Sequence, residues 1–498
     1  MAAAIGIAEE MKQYSLGPTW TGLPDSYSVR DIIGSGSFSK VAAASCKVED
    51  VQELVAIKCC TDIFNANKMP RGALFAFREI SILQCLSYSP HVVNLRDVFR
   101  LSPETQDLYL VFDQAECDLH SFIHPTAPFP LPSLPSSRIS VSELHLIAHQ
   151  LFKGVQHMHQ AQIIHRDLKP QNVLLFNSTE AGAGVVLKIC DFGLARKVAD
   201  KQIVEVSDSS VLAQVTEDGD NSMATNGETY DPVDEELPTA VPKMGRQLTQ
   251  SILTPNYMCP QFILQPEDYD SSVDLWSCGC ILAELLETLE DSGKEPDERS
   301  VIFAYTDKRG LMPDPFGRSS GTTDSASGNV SLSEDDPAFD RLKKILTKLG
   351  SEGASEYRDG VKLRQYLRSE VAERKANEAL ADMYRATPQG LVCLLQRLLR
   401  LKPERRATAW EAVGLLESSA RSLPAAPSFC TVDPSNQAKL LPRDFDSPPE
   451  DGQMLSGDPD AKKREFYRIQ NSWCCTNLDK IVEEYPSGAK QNKISHRT

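Results

Sequence analysis

Two charged loops, each set between apolar runs, constrain this chain more than any other feature: IIHRDLKPQNVLL at 163–175 and LKICDFGLAR at 187–196. Asp167 can accept the hydrogen bond of a hydroxyl, Lys169 adds a cation beside it, and Asn172 and Asp191 offer hard oxygens, all within 25 residues. Hard oxygens suit Mg2+, and an acid, a cation and a held metal are what moving a phosphate requires. The scaffold that must bring these loops together begins with strands. SVRDIIG, KVAAASC and ELVAIKCC are β-branched or apolar runs broken by glycine and polar residues. GALFAFREISILQCL then places Leu74, Phe77, Ile80, Ile82, Leu83 and Leu86 mainly on one helical face, and NLRDVF and DLYLVF return to strand. From Asp118 onward helices are expected, roughly over 141–161, 271–287, 336–349, 387–400 and 408–418.

Three stretches interrupt this order: a Pro/Ser linker at 124–137, an acidic segment at 198–245, and a Gly/Ser/Asp spacer at 317–336. The acidic segment holds eleven carboxylates between Asp200 and Glu236 against one lysine, Lys201, and its composition predicts disorder. A C-terminal extension over 421–498 is Pro/Asp-rich and is expected to be largely disordered. The net charge of -17 argues against nucleic acid or an anionic membrane as the main partner, since both need a positive surface. Thirteen cysteines are scattered without metal-like spacing, which predicts reduced thiols. The N-terminus lacks the pattern of a secretory signal, and no apolar run approaches the ~20 residues that span a bilayer. An intracellular protein, in nucleus or cytoplasm, is the expectation.

In order along the chain, further motifs join the two loops. IGSGSFSKV (33–41) follows a strand, VAIK (55–58) carries Lys58, and Glu79 lies on the next helix. With HRDLKxxN and DFG, this set resembles the eukaryotic protein kinases. The resemblance covers about Ser28 to Leu416 and implies an α+β, bilobal fold. A small β-rich N-lobe with one key helix (28–112) would sit on a larger, mainly helical C-lobe (118–420), after an N-terminal tail over 1–27. It implies ATP and Mg2+ as cofactors and protein serine and threonine hydroxyls as acceptors, with Asp167 and Lys169 catalytic. Asn172 and Asp191 would hold the metal. The phosphates would lie under the glycine loop of Ile33, Gly34, Ser35, Gly36, Ser37, Phe38, Ser39 and Val41, in which Ser39 replaces the family's third glycine. Ala56 and Lys58 would line the nucleotide site, with Glu79 pairing Lys58. Phe112 matches the gatekeeper, and backbone groups of Asp113 and Ala115 would meet adenine. Asp274, Trp276 and Gly279 resemble the helix that anchors the catalytic loop, and Arg406 the arginine near the domain's end.

Within that superfamily the wording is closest to the cyclin-dependent kinases and their wider group, which includes the mitogen-activated kinases. FREISIL (77–83) resembles the end of the helix that cyclins grip, so a cyclin-like activator is a possible partner. GALFAF, however, replaces the family's cyclin-binding sequence. Thr249 and Thr254 have the spacing of the activating phosphothreonine and of the threonine that touches the catalytic aspartate. Arg78, Arg166 and Arg196 fill the positions of the three arginines that gather the phosphate. A phosphate brings about -1.5 to -2 charges and one to three charge-assisted hydrogen bonds to such a cluster. Two rivals stand beside this switch: Thr249 as an ordinary solvated loop residue, and the acidic segment itself filling the arginine pocket.

The rest of that stretch departs from the family. Met258 replaces the arginine that shapes the pocket after the phosphoacceptor, which puts proline-directed specificity in doubt. Gln261 replaces the glutamate that pairs with Arg406. A buried arginine without its partner costs about 3–5 kcal/mol, so either Gln261 bonds Arg406 or another carboxylate has moved in. Three functional alternatives remain open: a cyclin-independent kinase that activates other kinases, a pseudokinase, and a scaffold that binds partners through the acidic segment.

Overall fold

The computed structural model describes residues 18–36, 39–48, 51–65, 72–102, 104–126, 136–178, 184–197, 255–261, 270–304, 337–349 and 376–421. Lys68, Leu131, Ser133, Leu134 and Leu423 are described besides. Thr249, Thr254, Ser37 and Phe38, the acidic segment beyond Lys197 and the Gly/Ser/Asp spacer lie outside the described residues.

Five strands build the N-lobe sheet: β1 (Tyr27–Ser35), β2 (Ser39–Val48), β3 (Val51–Cys60), β4 (Leu95–Phe99) and β5 (Leu108–Asp113), in the antiparallel order β1-β2-β3-β5-β4. Alternation along β3 sorts its side chains onto two faces, as the pleat requires. Val55, Ile57 and Cys59 are buried on the outer face with Tyr109 and Val111, while Cys60 joins the core shared with the C-lobe. Ala56 and Lys58 alternate with the outer set, so β3 delivers Lys58 to the cleft. Helix α1 (Gly72–Cys85) covers the inner side through Ala76, Ile80 and Leu83.

The outer face is covered from an unexpected source. Trp20, read from sequence as part of a tail, is fully buried edge-on against Tyr109, and Tyr109 Oη donates to the Thr19 carbonyl over 2.6 Å. Phe99 stacks on Tyr109 and Tyr27 on Phe99. The N-terminal strap is part of the lobe.

The C-lobe begins with β6 (Cys117–Asp118) and α2 (Leu119–Ile123). It is built on α3 (Val141–Gln160), which a capping box of Ser140 and Glu143 starts and whose apolar stripe of Leu144, Ile147, Leu151, Val155 and Met158 is fully buried. Short strands β7 (Ile163–Ile164), β8 (Val173–Asn177), β9 (Val185–Ile189) and β10 (Arg196–Lys197) frame the two charged loops. Helix α4 (Ser272–Leu286) is buried along its length, as the apolar sequence WSCGCILAELL requires. Gly279 permits this closeness: a Cβ there would stand 2.8 Å from Leu399 Cδ2. Helices α5 (Pro337–Leu349), α6 (Ala376–Met383), α7 (Gln389–Leu398) and α8 (Ala409–Ala420) complete the lobe, and α6 carried no sequence expectation. The Pro/Ser stretch is not a bare linker. Leu131 and Leu134 are buried in the core, and Ser133 Oγ donates to Asn177 Oδ1 over 3.2 Å. Among the described residues no helix is long and apolar enough to cross a membrane.

Candidate active site

Between the lobes, Lys58 Nζ lies 2.8 Å from Glu79 Oε1 and 2.9 Å from Asp191 Oδ1. The two carboxylates come from α1 and from the turn after β9, so the ammonium joins three elements. Lys58 titrates well above the ordinary lysine range: burial opposes its charge, but the fields of Asp191 and Glu79 outweigh burial. Burial pushes the Glu79 carboxyl up in spite of Lys58. Lys58 holds Asp191 down to about 2, so Asp191 is a carboxylate at neutral pH. Asp191 adopts a left-handed backbone, φ 64°, and the buried Phe192 ring beside it packs on His165 at 4.9 Å. That side-chain anchor holds the strained turn in place.

The other charged loop hangs from one buried carboxylate. Asp274, fully buried near the start of α4, accepts from the backbone N–H groups of His165 (2.9 Å) and Arg166 (2.8 Å) and bonds His159 Nε2 at 3.0 Å. These bonds hold Arg166 at φ 72°, which turns the chain so that Asp167 faces the cleft. His165 ties the two loops together. Its Nε2 donates to the Cys190 carbonyl over 2.9 Å, and its Nδ1 accepts from Asp167 N over 3.3 Å. Lys169 Nζ then meets Asp167 Oδ2 at 2.7 Å, and Asn172 Nδ2 donates to the Asp167 carbonyl at 2.8 Å.

These groups fit ATP and Mg2+. Because the Asn172 amide nitrogen is committed to Asp167, its amide oxygen is the face left for a hard cation beside Asp191. Among the described residues no cluster of three or more His, Cys, Asp or Glu side chains could hold a metal alone. Two protein oxygens completed by phosphates is the usual Mg2+ arrangement at such sites. The β1–β2 turn expected to cover the phosphates is tight: Gly34 stands opposite Val41, a Cβ on it would lie 3.4 Å from Val41 Cβ, and Gly36 N closes the turn on the Ser39 carbonyl at 2.8 Å. Ile33 is exposed and Ser35 ends β1. Ala56 pairs with Phe112 across β3 and β5, and Asp113 and Ala115 follow Phe112 into the connection between lobes.

Two of the three arginines share one corner. Arg166 Nε donates to the Leu194 carbonyl over 2.6 Å, and Arg196, two residues on, is exposed and pairs with Ile164 in the β7–β10 ladder. Arg78 lies on α1, which packs against the Phe192–Leu194 turn. Arg406 bonds Gln261, as one sequence alternative held: Nη1 donates to Gln261 Oε1 over 2.6 Å. Carbonyls of Arg400, Leu401 and Ser272 also accept from its guanidinium, and the Trp276 ring lies 5.2 Å from its guanidinium carbon. Sequence reading missed the direct Lys58–Asp191 contact and the bracing by His165, because both join residues whose proximity leaves no local signal.

The fold and this cleft define a phosphotransferase that uses ATP. The profile described as "Protein kinase domain" matches residues 27–212 and 239–415, parting inside the acidic segment. The chain belongs to the protein kinase family. It is similar to "Mitogen-activated protein kinase 3" of Oryza sativa subsp. japonica, at 26% identity over 404 residues, 80% of each chain. Similarity to "Mitogen-activated protein kinase 7" of Arabidopsis thaliana is 26% over 413 residues, 82% of this chain and 83% of that one. "Mitogen-activated protein kinase 15" of Caenorhabditis elegans is 30% identical over 266 residues, 53% of this chain and 44% of that one. The protein is a serine/threonine kinase of the group that unites the cyclin-dependent and mitogen-activated kinases, with ATP as phosphate donor and Mg2+ as its usual metal.

Proposed function

We propose that this kinase phosphorylates protein serine and threonine hydroxyls under the control of Thr249, and that it closes its catalytic ion pair without a cyclin-like partner. The observation that carries the reading is the contact of Lys58 with both Glu79 and Asp191, made by residues of this chain alone. In phosphoryl transfer that lysine–glutamate pair and the metal-holding aspartate must be in place together. Asp167 orients the acceptor hydroxyl and takes up its proton, and Lys169 and Lys58 face the charge that builds on the transferred phosphate. When bound, Mg2+ neutralises the phosphate oxygens. Thr254 would bridge the catalytic loop and the acceptor platform. A phosphate on Thr249 would find Arg166 and Arg196 on one corner, with Arg78 on the helix packed against it.

Met258 supports an acceptor preference that is not proline-directed. It packs on the core, and its carbonyl accepts from Arg341 Nη2 over 2.6 Å, in the place where the group carries an arginine. The full chain with Mg2+-ATP and a degenerate serine/threonine peptide library tests the reading, with Asp167→Asn and Thr249→Ala beside it. Transfer that vanishes in Asp167→Asn and falls in Thr249→Ala, without enrichment of proline after the acceptor, is the expected result. Transfer appearing only on addition of a cyclin would sink partner independence. Full activity in Thr249→Ala would sink the switch.

A further inference from the structure

Asp113 closes β5 at the start of the segment assigned to adenine, and its side chain has partners that no motif announces. Its Oδ1 lies 3.4 Å from Arg96 Nη1 and its Oδ2 lies 3.7 Å from Lys188 Nζ. Arg96 stands on β4 with its side chain 6% exposed, and its Nη2 also donates to Glu53 on β3. Lys188 stands on β9, three residues before Asp191, with its ammonium 4.9 Å from the centre of the Phe176 ring. One carboxylate therefore takes a cation from each lobe, one on each oxygen. The β3–β5 ladder ends at the Val55–Asp113 pair, the next bond, Gln114 N to the Leu54 carbonyl, is 3.4 Å long, and firm backbone pairing resumes only where Glu116 N donates to the Leu175 carbonyl over 3.0 Å.

We propose that Glu53, Arg96, Asp113 and Lys188 form a charged clasp that fixes the connection between the lobes and so positions the peptide groups that bind adenine. Arg96 and Lys188 are positioning residues, acting through Asp113. The proposal rests on the assignment of adenine recognition to Asp113 and Ala115. An exposed ion pair by itself contributes little to stability. The clasp works by preorganisation: a segment whose first side chain is tied from both sides has less freedom to lose when the ligand binds. Arg96, being buried, needs a countercharge and will not release it readily.

The test is calorimetry on the full chain with two ligands, Mg2+-ATP and adenosine, the second lacking every phosphate. Lys188→Met, which keeps the stem of a partly exposed side chain and removes its charge, is expected to weaken both ligands about fivefold. Lys188→Arg is expected to restore both to within about twofold. Asp113→Asn is expected to match Lys188→Met, with no further loss in the double variant, because both open the same clasp. A loss for Mg2+-ATP but not adenosine would instead assign Lys188 to the phosphate side near Asp191 and overturn the proposal. Arginine performing no better than methionine, or single losses that simply add, would overturn it too. Failure of the wild-type chain to bind Mg2+-ATP at all would overturn the nucleotide site itself, and the clasp with it.

Discussion

Asp274 and Asp191 are both acidic groups that organise the catalytic loops, and they differ in how completely they are satisfied. Asp274 is fully buried in the C-lobe, with two backbone N–H groups and a histidine nitrogen upon it. Burial pushes its carboxyl up, yet the bonds from His159 and Arg166 and the neighbouring imidazoles bring the net shift down. Asp191, at the cleft, meets the Lys58 ammonium as its one side-chain hydrogen-bond partner among the described residues, and its side chain is 46% exposed. Lys58 is shared with Glu79, so two carboxylates face one cation there. The structural acid is closed. The functional one is left electrostatically open toward a ligand, and this difference separates the two roles better than residue type or burial.

Neutralising each acid in turn should produce the largest and most divergent effects. Asp191→Asn is expected to lower phosphate transfer by at least about a thousandfold, since the metal proposed to rest on Asp191 would lose an anionic ligand. Lys58 keeps Glu79, so denaturant unfolding should move by less than about 1 kcal/mol. Asp274→Ala is expected to do the reverse first, costing about 3–5 kcal/mol of stability because His159 and two N–H groups lose a buried acceptor. If unfolding midpoints of the two variants coincided, the distinction would be wrong.

Acid titration of stability should show the next largest effect. Burial pushes the His91 imidazole down to about 4, although its Nδ1 bonds the Leu187 carbonyl. Between about pH 6.5 and 4 the unfolded chain binds the proton and the folded one resists it, so stability falls as the solution is acidified through that window. The full fall is on the order of 3 kcal/mol at 1.36 kcal/mol per pH unit. His91→Gln should flatten this slope in urea titrations at a series of pH values. The smallest effect expected is at Arg406, whose hydrogen bonds all run to neutral oxygens. Gln261→Glu should raise stability by about 1 kcal/mol by making one bond charge-assisted. An unchanged melting temperature would show that the neutral shell already suffices.

Much of this was legible in the chain. Asp167, Lys169, Asn172 and Asp191 sit in short stretches whose chemistry is local, and the apolar periods of 141–161 and 271–287 lie within a residue of α3 and α4. Lys58 and Glu79 were readable because the strand and helix that carry them are contiguous blocks. What escaped were pairings between distant residues. Lys58 meets Asp191 across 133 residues, and Tyr109 meets Thr19 across 90. Leu131 and Leu134 lie among prolines and serines that mask two core positions with no period of their own. Asp113, Arg96 and Lys188 each look like an ordinary strand-end charge until the fold sets them together.

The strap that carries Trp20 bears on where the self-sufficient folding unit starts. Its indole seals the outer sheet face over Tyr109, and the aromatic series continues through Phe99 to Tyr27 on β1. A chain clipped just before β1 would keep every catalytic side chain. It would also bare a hydrophobic strip on the back of the very strand that delivers Lys58, inviting association between molecules through that face. The self-sufficient folding unit of this kinase therefore takes in the Pro18–Trp20 turn.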